Sequence, residues 1–216
     1  MSQQIQQFYM GGKDRPRRGP YIAPWGEERT LPDALVRRES RLAYSDETPE
    51  DRSKEVLRLR YSSSRGCGVA RTAQFHLGRQ RAVMSTLSCQ VCGMDTGREA
   101  AELWGGQRLF AGAQGRLLAD GELVATPPVH RACAIESLSE ESGSTHVHGT
   151  PVLALVQNPV QWGVHGPVHD PVTRVPIGRQ NLPFGDQMLP YTIGLQAVVE
   201  LHDCTPITAD DLKAAA

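Results

Sequence analysis

The sequence predicts an α+β fold, a single domain with a treble-clef-like zinc site. Three observations point there. Short stretches with alternating apolar residues lie beside longer stretches with helical spacing. Two ligand pairs, Cys89-x2-Cys92 and His130-x2-Cys133, flank a Gly-rich insert. The 216 residues, 39% of them hydrophobic, suffice for a core, and no apolar run is long enough for a transmembrane helix.

Residues 1–29 are rich in Gly, Pro and Arg and read as a mobile arm; they contain no apolar stretch of signal-peptide type, which predicts a cytoplasmic protein. Residues 30–213 read as the α+β domain, with the metal segment at 87–138. The closing Ala214–Ala216, after "DDLK", resembles a cloning scar. Within the domain, "TLPDALVRRESRLAY" predicts a helix, with Thr30 as cap and Pro32 in the first turn. "SDETPEDRS" is an acidic loop. "EVLRLRYS" alternates as a strand, with Leu57, Leu59 and Tyr61 on one face and Val56, Arg58 and Arg60 on the other. "ARTAQFHLGRQRAVMSTLS" predicts a helix whose buried face carries His76, Gln80, Val83 and Leu87. Strands are expected around "ELW" and "ELVAT", then at "TPVLALVQ" and "VQWGVHG". "HDPVTRVPIGRQNLP" reads as an irregular connection. A last helix is expected from Asp186 to about Asp203, burying Leu189, Ile193, Ala197 and Leu201, with Pro190 in its first turn.

The metal segment carries the clearest chemistry. A Cys-x2-Cys turn lets Cys89 and Cys92 reach one ion, and Gly93 frees the backbone just beyond it. His130 and Cys133, three apart at a helix start, share a face and can converge. Three thiolates and an imidazole suit zinc, and four protein ligands close its shell, so the expected ion is structural. The five cysteines are an odd number, which in a reducing compartment favours ligands over disulfides. A knuckle, a hairpin and a helix bringing the last ligands complete the treble-clef expectation. The charge is uneven: residues 1–81 sum to +6 and residues 82–216 to −7. The acidic surroundings of the metal segment argue against a phosphate-gripping nuclease.

Outside it, His76 and Arg60 are the candidates for catalysis, the first as a proton shuttle and the second as an anion clamp, with Arg79 and Gln80 as substrate contacts. Burial and a nearby arginine are expected to keep His76 neutral. Cys67 in "RGCGV" lacks a visible base. His146 with His148, and His165 with His169, could bind metal or phosphate, or simply be solvated. Trp25, Trp104 and Trp162 read as core.

On "HLGRQRAVM", "CQVCG" and "PPVHRACA", the stretch Ile22–Leu138 resembles a group of uncharacterised actinobacterial zinc-containing proteins, as more faintly do "LVQNPVQWGVHG" and "QAVVELHDCT". That resemblance implies a zinc-bound α+β fold; where the group has a second Cys-x2-Cys, this chain has His130. A fainter similarity, on Arg60 followed by His76, is to actinomycete Pictet–Spengler cyclases, which join a tryptophan-like amine to an aldehyde. It implies a carboxylate base soon after the histidine, and "AVMSTLS" holds no acid. Three functions are therefore expected candidates. The preferred one is an enzyme of specialised metabolism with structural zinc and a small-molecule substrate, an amine–aldehyde cyclase. The others are a non-catalytic interaction module and a nucleic-acid-associated protein using the basic half. Neither nucleic acid nor a membrane is the expected partner, and a homodimer is compatible with the sequence.

Overall fold

The computed structural model describes residues 19–31, 35–38, 40–62, 64–72, 74–113, 115–138 and 151–215. His146 and His148, Pro32 and the first 18 residues lie outside them. The fold is α+β and mostly strands. The strands are β1 (Leu35–Arg38), β2 (Arg41–Tyr44), β3 (Arg52–Ser53), β4 (Val56–Arg58), β5 (Arg108–Gly112), β6 (Leu123–Val124), β7 (Val152–Val156), β8 (Val160–His169), β9 (Pro176–Pro183), β10 (Ile193–Gly194), β11 (Gln196–Glu200) and β12 (Cys204–Ile207). The helices are α1 (Leu77–Ser85), α2 (Gly97–Leu103), α3 (Arg131–Leu138) and α4 (Ala209–Ala214). Among the described residues no helix is long and apolar enough to cross a membrane.

The three-stranded antiparallel sheet β12-β7-β5 divides the interior. Its central strand, "VLALV", is apolar throughout because both faces are buried. Leu153 and Leu155, with Leu109 and Ala111 of β5, face Cys89, Val129, Ala134 and Leu212 on the metal side. Ala154 and Val156, with Phe110, face Met84, Val199 and Leu201 on the other. There a four-stranded antiparallel sheet, β6-β11-β8-β9, supplies β11 as the opposing layer. Gly166 of β8 is required by this packing: a Cβ would lie 2.0 Å from the Ile193 carbonyl oxygen. A smaller sheet, β10-β4-β3, buries Val56 in one cluster and Leu57 in another, so β4 is covered on both faces, unlike the one-sided pattern expected from its alternation.

Several expected elements are corrected. Residues 19–29 are not an arm. Ile22 and Ala23 are fully buried, and the backbone bonds Tyr21 N to Val91 O (2.8 Å), Ile22 N to Gln90 O (3.2 Å) and Arg71 N to Pro24 O (2.7 Å) tie the segment down. The helix expected at 30–44 is instead the hairpin β1-β2, because Leu42 and Tyr44 at alternate positions pack with Leu57 and Ile193. The segment expected as helix 70–88 becomes helical only at Leu77, after His76 as its cap. "ELW" lies at the end of helix α2, not on a strand. The expected last helix is replaced by a 3-10 turn at Leu189–Tyr191 followed by β10 and β11. Leu189, Ile193, Ala197 and Leu201 are all buried, but in three separate clusters that no single helix face can reach. The irregular connection contains β9, whose prolines sit at the two ends of an edge strand, where a missing donor is tolerated. Finally, α4 is a short helix that ends at Ala214; Thr208 and Asp211 cap it reciprocally and Leu212 is buried on the metal side.

Candidate metal centre

Helix α1 ends with Leu87 in a left-handed conformation (φ 52°), which turns the chain into the Cys89–Cys92 knuckle. Paired Ser88 and Asp95 close the base of the knuckle. Cys89 N donates to Met94 O (2.7 Å) and Gly93 N to Cys89 O (2.8 Å), curling the backbone around the first sulfur. Gly93 has φ +78°, and a Cβ there would come within 2.7 Å of the Tyr21 ring, so this position needs glycine on both counts. The second pair arrives on α3. His130 O accepts from Ala134 N (2.8 Å) as the helix begins, and Gln90 N to Pro128 O (3.0 Å) holds the approach to the helix against the knuckle. Arg131 fixes α3 further, its N–H reaching Glu99 of α2 (2.6 Å) and its guanidinium the Leu212 and Lys213 carbonyls of α4.

These elements bring one ligand atom from each of Cys89, Cys92, His130 and Cys133 within 4.8 Å of one another. A tetrahedral ion with metal–sulfur bonds near 2.3 Å spaces its ligands roughly 3.5–4 Å apart, so the donor set fits zinc in number, type and span. His130 Nδ1 faces the sulfurs, 3.2 Å from Cys92 Sγ, while Nε2 lies 2.9 Å from Asp95 O. With Nε2–H donating to that carbonyl, Nδ1 keeps its lone pair toward the cluster, the usual way a ligating imidazole is oriented. Val91 N and His130 N both donate to Cys89 Sγ at 3.4 Å. Hydrogen bonds from the Cys133 and Cys92 thiols hold Cys89 far below the usual thiol range, and contact with Cys89 pushes Cys133 far above it. Hydrogen bonds to Cys89 and Cys92 push His130 up to about 11. These opposed shifts express four donor atoms crowded on one point and sharing protons, which a bound metal ion would displace. Among the described residues no β5–β6 hairpin joins the ligand pairs, as a treble clef would have: α2 lies between them, and β5 and β6 pair with different sheets.

The candidates for catalysis lie around the start of α1. His76 is the helix N-cap: its Nδ1 accepts from Arg79 N (3.2 Å), and its own N–H donates to Ile22 O (2.6 Å). Its ring packs on Tyr61, centroids 4.2 Å apart, and Nε2 lies 3.8 Å from Glu28 Oε1. Burial, then the Arg79 charge, lower its pKa to about 4, so it is neutral at pH 7. Arg79 forks onto Glu28 (2.6 and 2.8 Å) and reaches the Tyr21 and Ala23 carbonyls. Burial raises the Glu28 pKa, but the Arg79 fork and the Trp25 N–H outweigh it and hold it below the ordinary carboxylate value. Gln80 is fully buried; its Nε2 reaches Ala125 O (2.6 Å) and Ala197 O (2.9 Å), and its Oε1 accepts from Ala197 N (2.9 Å), pinning α1 to β11. Arg60 forks onto Asp51 (2.7 and 2.6 Å), bonds Asp46 (2.9 Å) and stacks on Tyr44; its fork holds Asp51 well below the usual carboxylate range.

Residue spacing gave no sign of Glu28, which organises this region, because a buried acid inside "WGEER" looks like any solvated one. Cys67 is exposed. His165 bonds Asn181 of the neighbouring strand (2.8 Å), while His169 is buried, which lowers its pKa. Trp104 packs against the metal-side core. No family model matches the chain, nor does any curated protein or solved structure.

Proposed function

We propose that the protein is a cytoplasmic, non-catalytic recognition module stabilised by a structural zinc ion on Cys89, Cys92, His130 and Cys133. One observation carries the non-catalytic part: the side chains with catalytic potential are engaged inside the fold. His76 caps α1, Arg79 neutralises Glu28, Gln80 joins α1 to β11, and Arg60 neutralises Asp51. The zinc part is supported by the donor set, whose four protein ligands leave no position for a reacting water. Zinc, when bound, supplies cross-linking between the knuckle and α3 and so adds to folding free energy.

A second reading keeps the amine–aldehyde cyclase. It is favoured by the neutral His76, which stands 3.8 Å from the Glu28 carboxylate. In that reading His76 moves the proton and Arg60 grips the substrate carboxylate. One experiment separates the two. The zinc-replete protein is incubated with a tryptophan-like amine and an aldehyde, and products are followed by mass spectrometry beside His76→Gln. The recognition module forms no condensed product above the uncatalysed background. Product that requires His76 overturns it in favour of the cyclase.

A further inference from the structure

The β8–β9 hairpin leaves its outer strand open. β9 is the edge of the sheet β6-β11-β8-β9, and the chain from Val172 to Asn181 is exposed without a break. Phe184 N donates to Trp162 O (2.9 Å), which fixes the alternation along the register of β9 on β8. Gln180 and Leu182 turn their N–H and C=O groups inward to β8, and Arg179 and Asn181 turn theirs outward. His165, opposite Asn181, agrees: its carbonyl points away from β9, to Leu195 N (2.9 Å). Among the described residues no strand lies beyond this edge. The turn of the hairpin is firmly built. Asp170 Oδ1 accepts from Val172 N (2.9 Å), Thr173 N (2.7 Å) and Thr173 Oγ1 (3.0 Å), and Asp170 N donates to Val175 O (2.9 Å). On this fixed turn and the strand after it, Val172, Val175 and Ile177 are 77%, 59% and 55% exposed.

An open edge is a template for another strand. Pro176 and Pro183, which lack an N–H, and the register shift at Ile177 bound its usable length, so Arg179 and Asn181 carry the outward donors and acceptors. The edge is also positive. Arg174 and Arg179 are exposed and make no ion pair among the described residues, while Asp170 is committed to the turn. A second copy pairing along β9 would crowd the Arg179 side chains of both chains on one edge, and like charges across a ladder destabilise it. An acidic strand meets no such repulsion. We propose that the β9 edge binds an extended acidic segment of a partner protein as an added strand. The outward N–H and C=O groups of Arg179 and Asn181 hold its backbone, a glutamate or aspartate pairs with Arg179, and aliphatic residues cover Val175 and Ile177. The site rests on the recognition-module reading, which the condensation assay decides by a separate readout.

The test uses the full zinc-loaded chain, with amide exchange read residue by residue by NMR. The probe is a short capped peptide alternating valine with glutamate, and its control alternates valine with lysine. In the free protein the Arg179 and Asn181 amides should exchange fast and those of Gln180 and Leu182 slowly. Saturating glutamate peptide should slow the Arg179 and Asn181 amides about tenfold or more. This pattern is read on the wild type and needs no variant to fold. Arg179→Glu, at an exposed position, should melt like the wild type, bind the glutamate peptide about fivefold or more weakly, and prefer the lysine peptide. No slowing of the Arg179 and Asn181 amides at millimolar peptide overturns the site. Equal affinity for both peptides, or unchanged affinity in Arg179→Glu, overturns the acidic partner. Amides of Arg179 and Asn181 that are already slow in the free chain, or that slow with protein concentration alone, give the edge to the chain itself or to a second copy and overturn the partner strand.

Discussion

Glu28→Ala should be among the most damaging single substitutions in this chain, although its sequence context is that of a tail. The Glu28 side chain is 1% exposed and that of Arg79 10%. Removing the carboxylate takes away both Arg79 contacts (2.6 and 2.8 Å) and the acceptor for Trp25 N–H (2.7 Å). The guanidinium is left with the Tyr21 and Ala23 carbonyls and no counter-charge. Breaking one side of a buried pair costs about 3–5 kcal/mol. For a chain of this size that lowers the melting temperature by about 6–20 °C. Thermal and urea melts of zinc-loaded protein measure it. A double variant, Glu28→Leu with Arg79→Met, strands no charge, so it should cost less than the two single changes together. If Glu28→Ala melts within about 1 kcal/mol of wild type, or if the double cost is additive, Glu28 is not the internal counter-charge of Arg79.

Three further outcomes are expected. Elemental analysis of protein purified without chelator should give about one zinc per chain; less than half an equivalent, or a melting temperature unchanged after verified metal removal and in Cys92→Ser, refutes the structural ion. Gln80→Leu should cost about 3 kcal/mol, since it strips partners from the buried Ala197 N–H and carbonyl and from the Ala125 carbonyl; a urea melt within error of wild type refutes the pinning role. His76 binds its proton more weakly folded, about 4, than unfolded, near 6.5. Its contribution is therefore complete above pH 6.5 and is lost as pH falls through about 4, by up to about 3 kcal/mol. Read as the difference between wild type and His76→Gln in excess zinc, an opposite or absent slope in that window refutes a buried neutral imidazole.

The Cys89, Cys92, His130 and Cys133 cluster, which could hold a metal ion, was legible in the sequence because its pattern is local: two spaced pairs, a glycine after the first, a helix after the second. The buried positions were legible too, whereas the elements carrying them often were not. Leu189, Ile193, Ala197 and Leu201 satisfy helical spacing, but the same residues satisfy a chain that changes layer at Thr192 and at Leu195. Leu42 and Tyr44 likewise needed only a partner surface, Leu57 and Ile193, to prefer a hairpin over a helix. Helix α4 had a readable signal, the reciprocal cap of Thr208 and Asp211, which the alanine tail obscured. What no spacing could reveal is the pairing of charges 51 residues apart, as in Glu28 and Arg79.

The metal knuckle and the Glu28 network belong to one mechanical unit. Tyr21 and Ile22 hydrogen-bond to Val91 and Gln90, the two residues between the knuckle cysteines. Tyr21 also gives its carbonyl to Arg79, and Ile22 gives its carbonyl to His76 N. Residues 21–28 are therefore clamped at one end by the cysteine turn and at the other by the Arg79 fork, with the α1 cap between them. The cysteine turn thus touches the segment that caps the N-terminus of α1 through two backbone contacts. On a scaffold wired this way, the cysteine turn steadies more than its own loop. Its contacts with residues 21 and 22 help set the position of the helix from which the internal ion pair is built.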